Sequence, residues 1–204
     1  GRAAEIEAEG FTLHPVPFTR GRMSPLGSIA TIRALRQVYR KVRPTVAHHV
    51  ALQATVLGSI AALRQTVSCV NALTGMGYVF TSGTIKARLL RPIMGALLRT
   101  LLNRPRQIAL VQNDDDREGL LALGVAAERI ALIPGSGVDV EVLQPLPEPA
   151  GPPKVAFVGR LLEDKGIHTL LRAHRLLRKR GANVELLIAG TPDPANPASV
   201  SERD

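Results

Sequence analysis

The stretch VAFVGRLLEDKG, residues 155–166, decides the reading of this chain. Four apolar residues run into Gly159, and Arg160 follows. After four intervening residues come Lys165 and Gly166, and then IHTLLRA opens a segment with helical spacing. A short apolar run bounded by glycine reads as a buried strand, and apolar residues at 167, 170 and 171 read as a helix face. Gly159 permits a sharp turn and the close approach of a ligand. The helix start beyond Gly166 carries unpaired N–H groups and a partial positive charge. Two cations beside a helix N-terminus at the carboxyl end of a strand suit a diphosphate. Arg160 can fork onto two oxygens and Lys165 adds a point charge. These residues alone are equally compatible with an exposed loop bearing two solvated cations.

Working outward, residues 154–158 read as a strand, 167–180 as a helix and 183–189 as a further strand. Residues 144–153 hold five prolines and read as a linker. Upstream of it, residues 24–42 have helical periodicity. Ser24 stands as cap and Pro25 at the first position. Ile29, Ile32, Leu35, Val38, Tyr39 and Val42 share one face, and Arg33, Arg36 and Arg40 lie largely outside it. Strands are expected at 45–50, 66–72, 107–111 and 129–133. Helices are expected at 52–63, at 85–102 with Pro92 as a kink, and at 114–123, closed by Gly124. The tight turn 134–137 ends this series.

Strand and helix alternate throughout, so the expected fold is α/β with two parallel-sheet units, 1–143 and 154–204. The second is too short to complete a doubly wound sheet. Residues 195–204 read as a polar ending with no closing element, and the chain opens on Gly1 rather than Met. Both features suggest an internal piece of a longer protein.

The 26 basic and 17 acidic residues give a net charge of +9, and 21 of the 26 are arginine. Such a surface favours phosphate groups, nucleic acid or an acidic lipid leaflet; a bare compositional bias would look the same. Aromatics are 3% and Trp is absent, so a base-stacking platform is disfavoured, and neither a helix-turn-helix nor a zinc pattern is present. Cys69 is the single cysteine and reads as a buried, inert thiol, in keeping with a reducing cytoplasm. No apolar run reaches about 18 residues and no signal peptide is visible.

The Gly-Arg-four residues-Lys-Gly pattern resembles that of retaining glycosyltransferases of family 4, which have the two-domain GT-B fold. The run IALIPGSGVD at 130–139 is similar to that family's hallmark at the end of the first domain. Gly135 and Ser136 there replace a commoner Asn-bearing form. Asn113-Asp114 and Leu123-Gly124-Val125 also fit the family's context. The resemblance covers nearly the whole chain. It implies two Rossmann-like domains, both incomplete here. The first strand and glycine-rich loop would precede Gly1, and a Glu-seven residues-Glu motif would follow Ala189. On that reading the 204-residue chain is itself expected to be inactive.

The resemblance also implies that Arg160 and Lys165, with Gly159 and Gly166, hold the donor's diphosphate. They would stabilise the departing phosphate without a metal or other cofactor. The implied partners are a nucleotide sugar and a glycan or polyprenyl-linked acceptor, as in the branch that builds bacterial surface polysaccharide at the inner face of the membrane. His48 and His49 lie where the family often has cleft histidines; alternation sends one to the cleft and one to the packing. Thr74-Gly75 stands where many members have His-Gly, so no histidine role carries over there. The basic side of the helix at 85–102 (Lys86, Arg88, Arg91 and Arg99) suits an anionic leaflet and an ordinary solvated face equally. His174 reads as a packing residue and His168 as solvated. Asp114 to Asp116 complement a helix dipole. The alternatives are another GT-B enzyme, such as a nucleotide-sugar epimerase or a phosphorylase, an inactive remnant, and a basic nucleic-acid-binding module, the last disfavoured by the scarce aromatics.

Overall fold

The computed structural model of the chain describes residues 3–18, 24–75, 80, 85–135, 137–193 and 198–201. It divides into two compact units, residues 1–137 and 138–204.

In the first unit, α1 (Ala3–Ala8) is followed by α2 (Pro25–Val42), β1 (Val46–Val50), α3 (Leu52–Ala62) and β2 (Ser68–Leu73). Then come α4 (Ile85–Leu102), β3 (Gln107–Val111), α5 (Asp114–Ala122), a 3-10 turn (Ala127–Arg129) and β4 (Ile130–Leu132). The strands form one parallel sheet in the order β1-β2-β3-β4, with Ala47 opposite Cys69, Asn71 opposite Ala109 and Val111 opposite Leu132. Sequential parallel strands joined by right-handed crossovers place their helices on one face. That face carries the core. Val56 of α3, Leu98, Leu101 and Leu102 of α4, and Leu120 of α5 close over Leu73, Ala109 and Val111. On the far face Val46, His48 and Val50 are exposed.

Local chemistry accounts for the boundaries. Ser24 caps α2 by accepting from the Gly27 N–H at 3.0 Å, with Pro25 at the start. The α2 face is narrower than its periodicity predicts. Ile32, Leu35 and Tyr39 pack, whereas Ile29 and Val42 are exposed. Arg36 does not stay outside: it donates to the Ile60 carbonyl. Helix α3 buries Val56, Leu57, Ser59, Ala61 and Ala62, as a helix apolar all round must. Helix α4 continues through Pro92. Asn113 caps α5 and Gly124 follows it at φ 83°. The strand expected from residue 66 begins at Ser68.

The second unit holds β5 (Lys154–Val158), a 3-10 turn (Glu163–Lys165), α6 (Ile167–Lys179) and β6 (Glu185–Ala189). The two strands pair in parallel, Lys154 opposite Glu185 and Val158 opposite Ala189. The polar ending is not structureless. Val200 is buried with Leu161 and Ile167, and its N–H donates to the Leu161 carbonyl. A single valine in a polar run gives no periodic signal for this closure.

Candidate functional site

The loop beyond β5 is built by close approach of two glycines. The Gly159 N–H donates to the Ala189 carbonyl at 3.0 Å. A side chain on Gly190, just past β6, would put its Cβ 1.8 Å from the Gly159 carbonyl oxygen. Position 190 therefore requires glycine for want of space, while Gly159 has room around it and takes φ 156°. Gly166 has φ 77° and is at once the end of the 3-10 turn and the start of α6. Gly166, at the N-cap position, offers α6 no side-chain cap for its first N–H groups.

Arg160 leaves the turn after Gly159, and Lys165 closes the 3-10 turn one residue before Gly166; both side chains are exposed. Arg160 Nη1 also donates to Asp193 Oδ2 at 2.7 Å, an ion pair that the sequence reading missed. The Asp193 N–H in turn donates to Ser199 Oγ at 2.9 Å. Nothing local announces Asp193, which is 33 residues downstream. His174 sits against its own unit with Nε2 3.0 Å from the Val184 carbonyl oxygen, as a packing residue should.

In the first unit, the two histidines of β1 part company. His48 is exposed on the open face of the sheet. His49 is 7% exposed and cannot serve a cleft. The Tyr39 hydroxyl donates to His49 Nε2, and His49 Nδ1–H donates to Asn71 Oδ1, each at 2.7 Å. The Asn oxygen can only accept, which fixes the Nδ1–H tautomer. Asn71 Nδ2 passes the chain on to Gln107 Oε1 at 2.9 Å, and Ser59 Oγ donates to Asn71 Oδ1 at 3.1 Å. Burial lowers the His49 pKa; the Asn71 hydrogen bond opposes this and the charge of His48 adds to it. Burial pushes the Tyr39 hydroxyl up to about 12, with a smaller contribution from Cys69. The network is a satisfied core layer rather than a reactive dyad.

Thr74 and Gly75 follow β2 in an irregular bend, Gly75 at φ 134°. Gly135 is exposed beyond β4, and Ser136 lies outside the described residues. Sequence reasoning also missed Ala51, at the junction of β1 and α3. Its φ of 76° and ψ of 157° fall in a region almost reserved for glycine. Its N–H donates to the Ala72 carbonyl, and α3 starts without a side-chain cap. Among the described residues, no three His, Cys, Asp or Glu side chains gather to hold a metal, and no helix is long and apolar enough to cross a membrane.

Residues 1–136 match the family model described as Glycosyl transferase 4-like domain, and residues 141–203 match Glycosyl transferases group 1. A capsular polysaccharide biosynthesis glycosyltransferase, CapM of Staphylococcus aureus, is 38% identical over 50 residues, 24% of this chain and 13% of CapM. Among solved structures, Anabaena Alr3699/HepE in complex with UDP and glucose aligns with a TM-score of 0.58 at 17% identity. The alignment covers 85% of this chain and 55% of that one. Sucrose-phosphate synthase from Thermosynechococcus elongatus aligns at 0.66 and 19% identity, covering 90% and 48%. The chain thus spans about half the length of these solved proteins. Likeness at this identity bears on the fold: α/β units of parallel sheet as in GT-B glycosyltransferases.

Proposed function

Because the chain belongs to the glycosyl transferase 4-like family, we propose that it serves sugar transfer from a nucleotide-sugar donor, with Arg160 and Lys165 holding the donor's diphosphate. The observation that carries this reading is the β5 loop. A glycine-bound turn, two cations and an uncapped helix start follow one another within eight residues, from Gly159 to Gly166. As the sugar leaves, negative charge grows on the bridging phosphate oxygen, and cations already in position stabilise it. Such a site does this without a metal ion.

The acceptor in this proposal is a glycan or polyprenyl-linked glycan, and the process is the building of a bacterial surface polysaccharide. The stretch matching CapM supports it. Contact with an anionic membrane, at its inner face, is supported by α4. Ile85, Leu89 and Ile93 recur every fourth residue and are 77%, 69% and 66% exposed, with exposed Arg88 beside them. An outward apolar stripe flanked by a cation suits an acidic leaflet. His48 and Thr74 are the polar side chains proposed to border the acceptor.

The test is calorimetric titration of the chain with pyrophosphate. Arg160→Gln together with Lys165→Gln should weaken binding by about tenfold or more. Unchanged affinity in that double variant would end the diphosphate assignment. In the active, complete protein each substitution should slow transfer by about 10²- to 10³-fold.

A further inference from the structure

The amino ends of β1, β2 and β3 carry a second basic feature. The loops entering these strands each hold an arginine in the left-handed region: Arg43 at φ 50°, Arg64 at 64° and Arg106 at 63°. Left-handed backbone is costly for such residues and commonly falls to glycine or asparagine. Between the first two of these loops lies a cavity of about 410 Å³, lined by Tyr39, Arg40, Arg43, Gln65, Thr66 and two apolar residues, Pro44 and Val67. Arg106 Nη1 donates to the Thr66 carbonyl at 3.0 Å. Among the described residues, no carboxylate lines the cavity. Among the described residues, no ion pair engages Arg40, Arg43, Arg64 or Arg106.

We infer that this cavity binds a small organic phosphate. Arg40 and Arg43 stand three residues apart at the end of α2, and both are exposed residues lining one hollow. Guanidinium forks match phosphate oxygens, and a concavity lined by charge of one sign concentrates anions. Gln65 and Thr66 add polar side chains. The Tyr39 hydroxyl is already committed to His49, so Tyr39 offers its ring, with Pro44 and Val67, as an apolar wall. The volume falls in the range of small-molecule sites, which pair apolar walls with a few polar anchors. The cavity lies at the strands' amino ends, opposite the carboxyl ends at which Thr74 and Gly135 follow β2 and β4. The cavity uses residues of the first unit alone, and none of Gly159, Arg160, Lys165 or Gly166 lines it, so it does not rest on the diphosphate proposal.

Glycerol phosphate is the probe, titrated by calorimetry into the full 204-residue chain carrying Arg160→Gln and Lys165→Gln, which silences the β5 loop. Binding should persist there. Adding Arg40→Gln and Arg43→Gln should weaken it by about tenfold or more. Arg104→Gln, an exposed cation of the same edge outside the cavity, should change it by less than about twofold. These arginines are exposed, so melting curves of the variants should overlay the parent's. Phosphatidylglycerol vesicles, pelleted with the chain, separate the sources. Pelleting that depends on Arg40 and Arg43 identifies a lipid headgroup, and pelleting that ignores them identifies a free ester. Glycerol phosphate binding no weaker in the Arg40/Arg43 variant, or weakened equally by Arg104→Gln, would overturn the site.

Discussion

Replacing Gly58 with alanine should destabilise the first unit because of one imidazole. A Cβ on Gly58 would lie 2.4 Å from His49 Nε2, 2.5 Å from Cδ2 and 2.7 Å from Cε1. Ordinary contact is about 3.5 Å, so the ring would have to retreat by about 1 Å. It is pinned at both nitrogens by hydrogen bonds of 2.7 Å, to Tyr39 and Asn71. Retreat stretches one or both, stranding buried polar groups at about 1–3 kcal/mol each. If the ring holds instead, α3 is overpacked at a cost of about 1–3 kcal/mol. Alanine's better helix propensity returns about 1 kcal/mol. The cheaper route sets the cost, and with three ring atoms inside 3 Å it falls toward its upper end, so the net loss should be about 1–2 kcal/mol. Cys69, buried and the single cysteine, provides the assay, because its labelling in urea reports opening of this unit alone. In a His49→Ala background the new methyl meets empty space, and Gly58→Ala should become stabilising by about 0.5–1 kcal/mol. An equal loss in both backgrounds would refute the contact, and so would no loss in the parent.

Three further outcomes follow from particular atoms. Burial holds the folded His49 pKa below its unfolded value of about 6.5. The unfolded chain therefore binds a proton that the folded one refuses. Stability contributed by neutral His49 is complete above that value and declines as pH falls below it. Urea midpoints at successive pH values should show this slope, and His49→Gln should flatten it. Gly190→Ala meets the Gly159 carbonyl at 1.8 Å, a backbone atom that cannot swing aside. It should weaken pyrophosphate binding by about tenfold or more while Cys69 labelling stays unchanged; intact binding would show that the turn does not shape the site. Ala51→Gly should stabilise the first unit by about 1 kcal/mol by releasing its backbone, and a lower urea midpoint would contradict the strain.

The order of elements was legible because each is a local pattern. Lys154–Val158, Gln107–Val111 and Ile85–Leu102 fall where apolar period and punctuation put them. What failed was long-range. Six apolar residues of α2 share one face, yet Ile29 and Val42 on it are exposed, since a helix's period says which residues could pack and not what lies opposite. The strand expected from Thr66 starts later. The carbonyl of Thr66 accepts from Arg106, which belongs to the next crossover. Val200 closes the second unit by pairing back to Leu161, a partner 39 residues away in a chain with no repeat to suggest it.

The candidate site divides along the same line. Gly159, Arg160, Lys165 and Gly166 were readable because strand, turn and helix start are contiguous. Asp193 was not, although it decides how Arg160 is presented. It engages Nη1 alone, and the Arg160 side chain remains 55% exposed. A guanidinium has five N–H donors, so the other edge can still fork onto a phosphate while Asp193 holds the first. The carboxylate thus orients the arginine and leaves its other edge exposed, although it lowers the local positive field. For the histidines, alternation could say that one turns inward but not which. The choice was written elsewhere, in polar Asn71 and Gln107 at inward strand positions and in Gly58, which leaves room for a ring. Three such departures from apolar pattern in neighbouring elements are the sequence trace of a buried polar layer, and here they converge on His49.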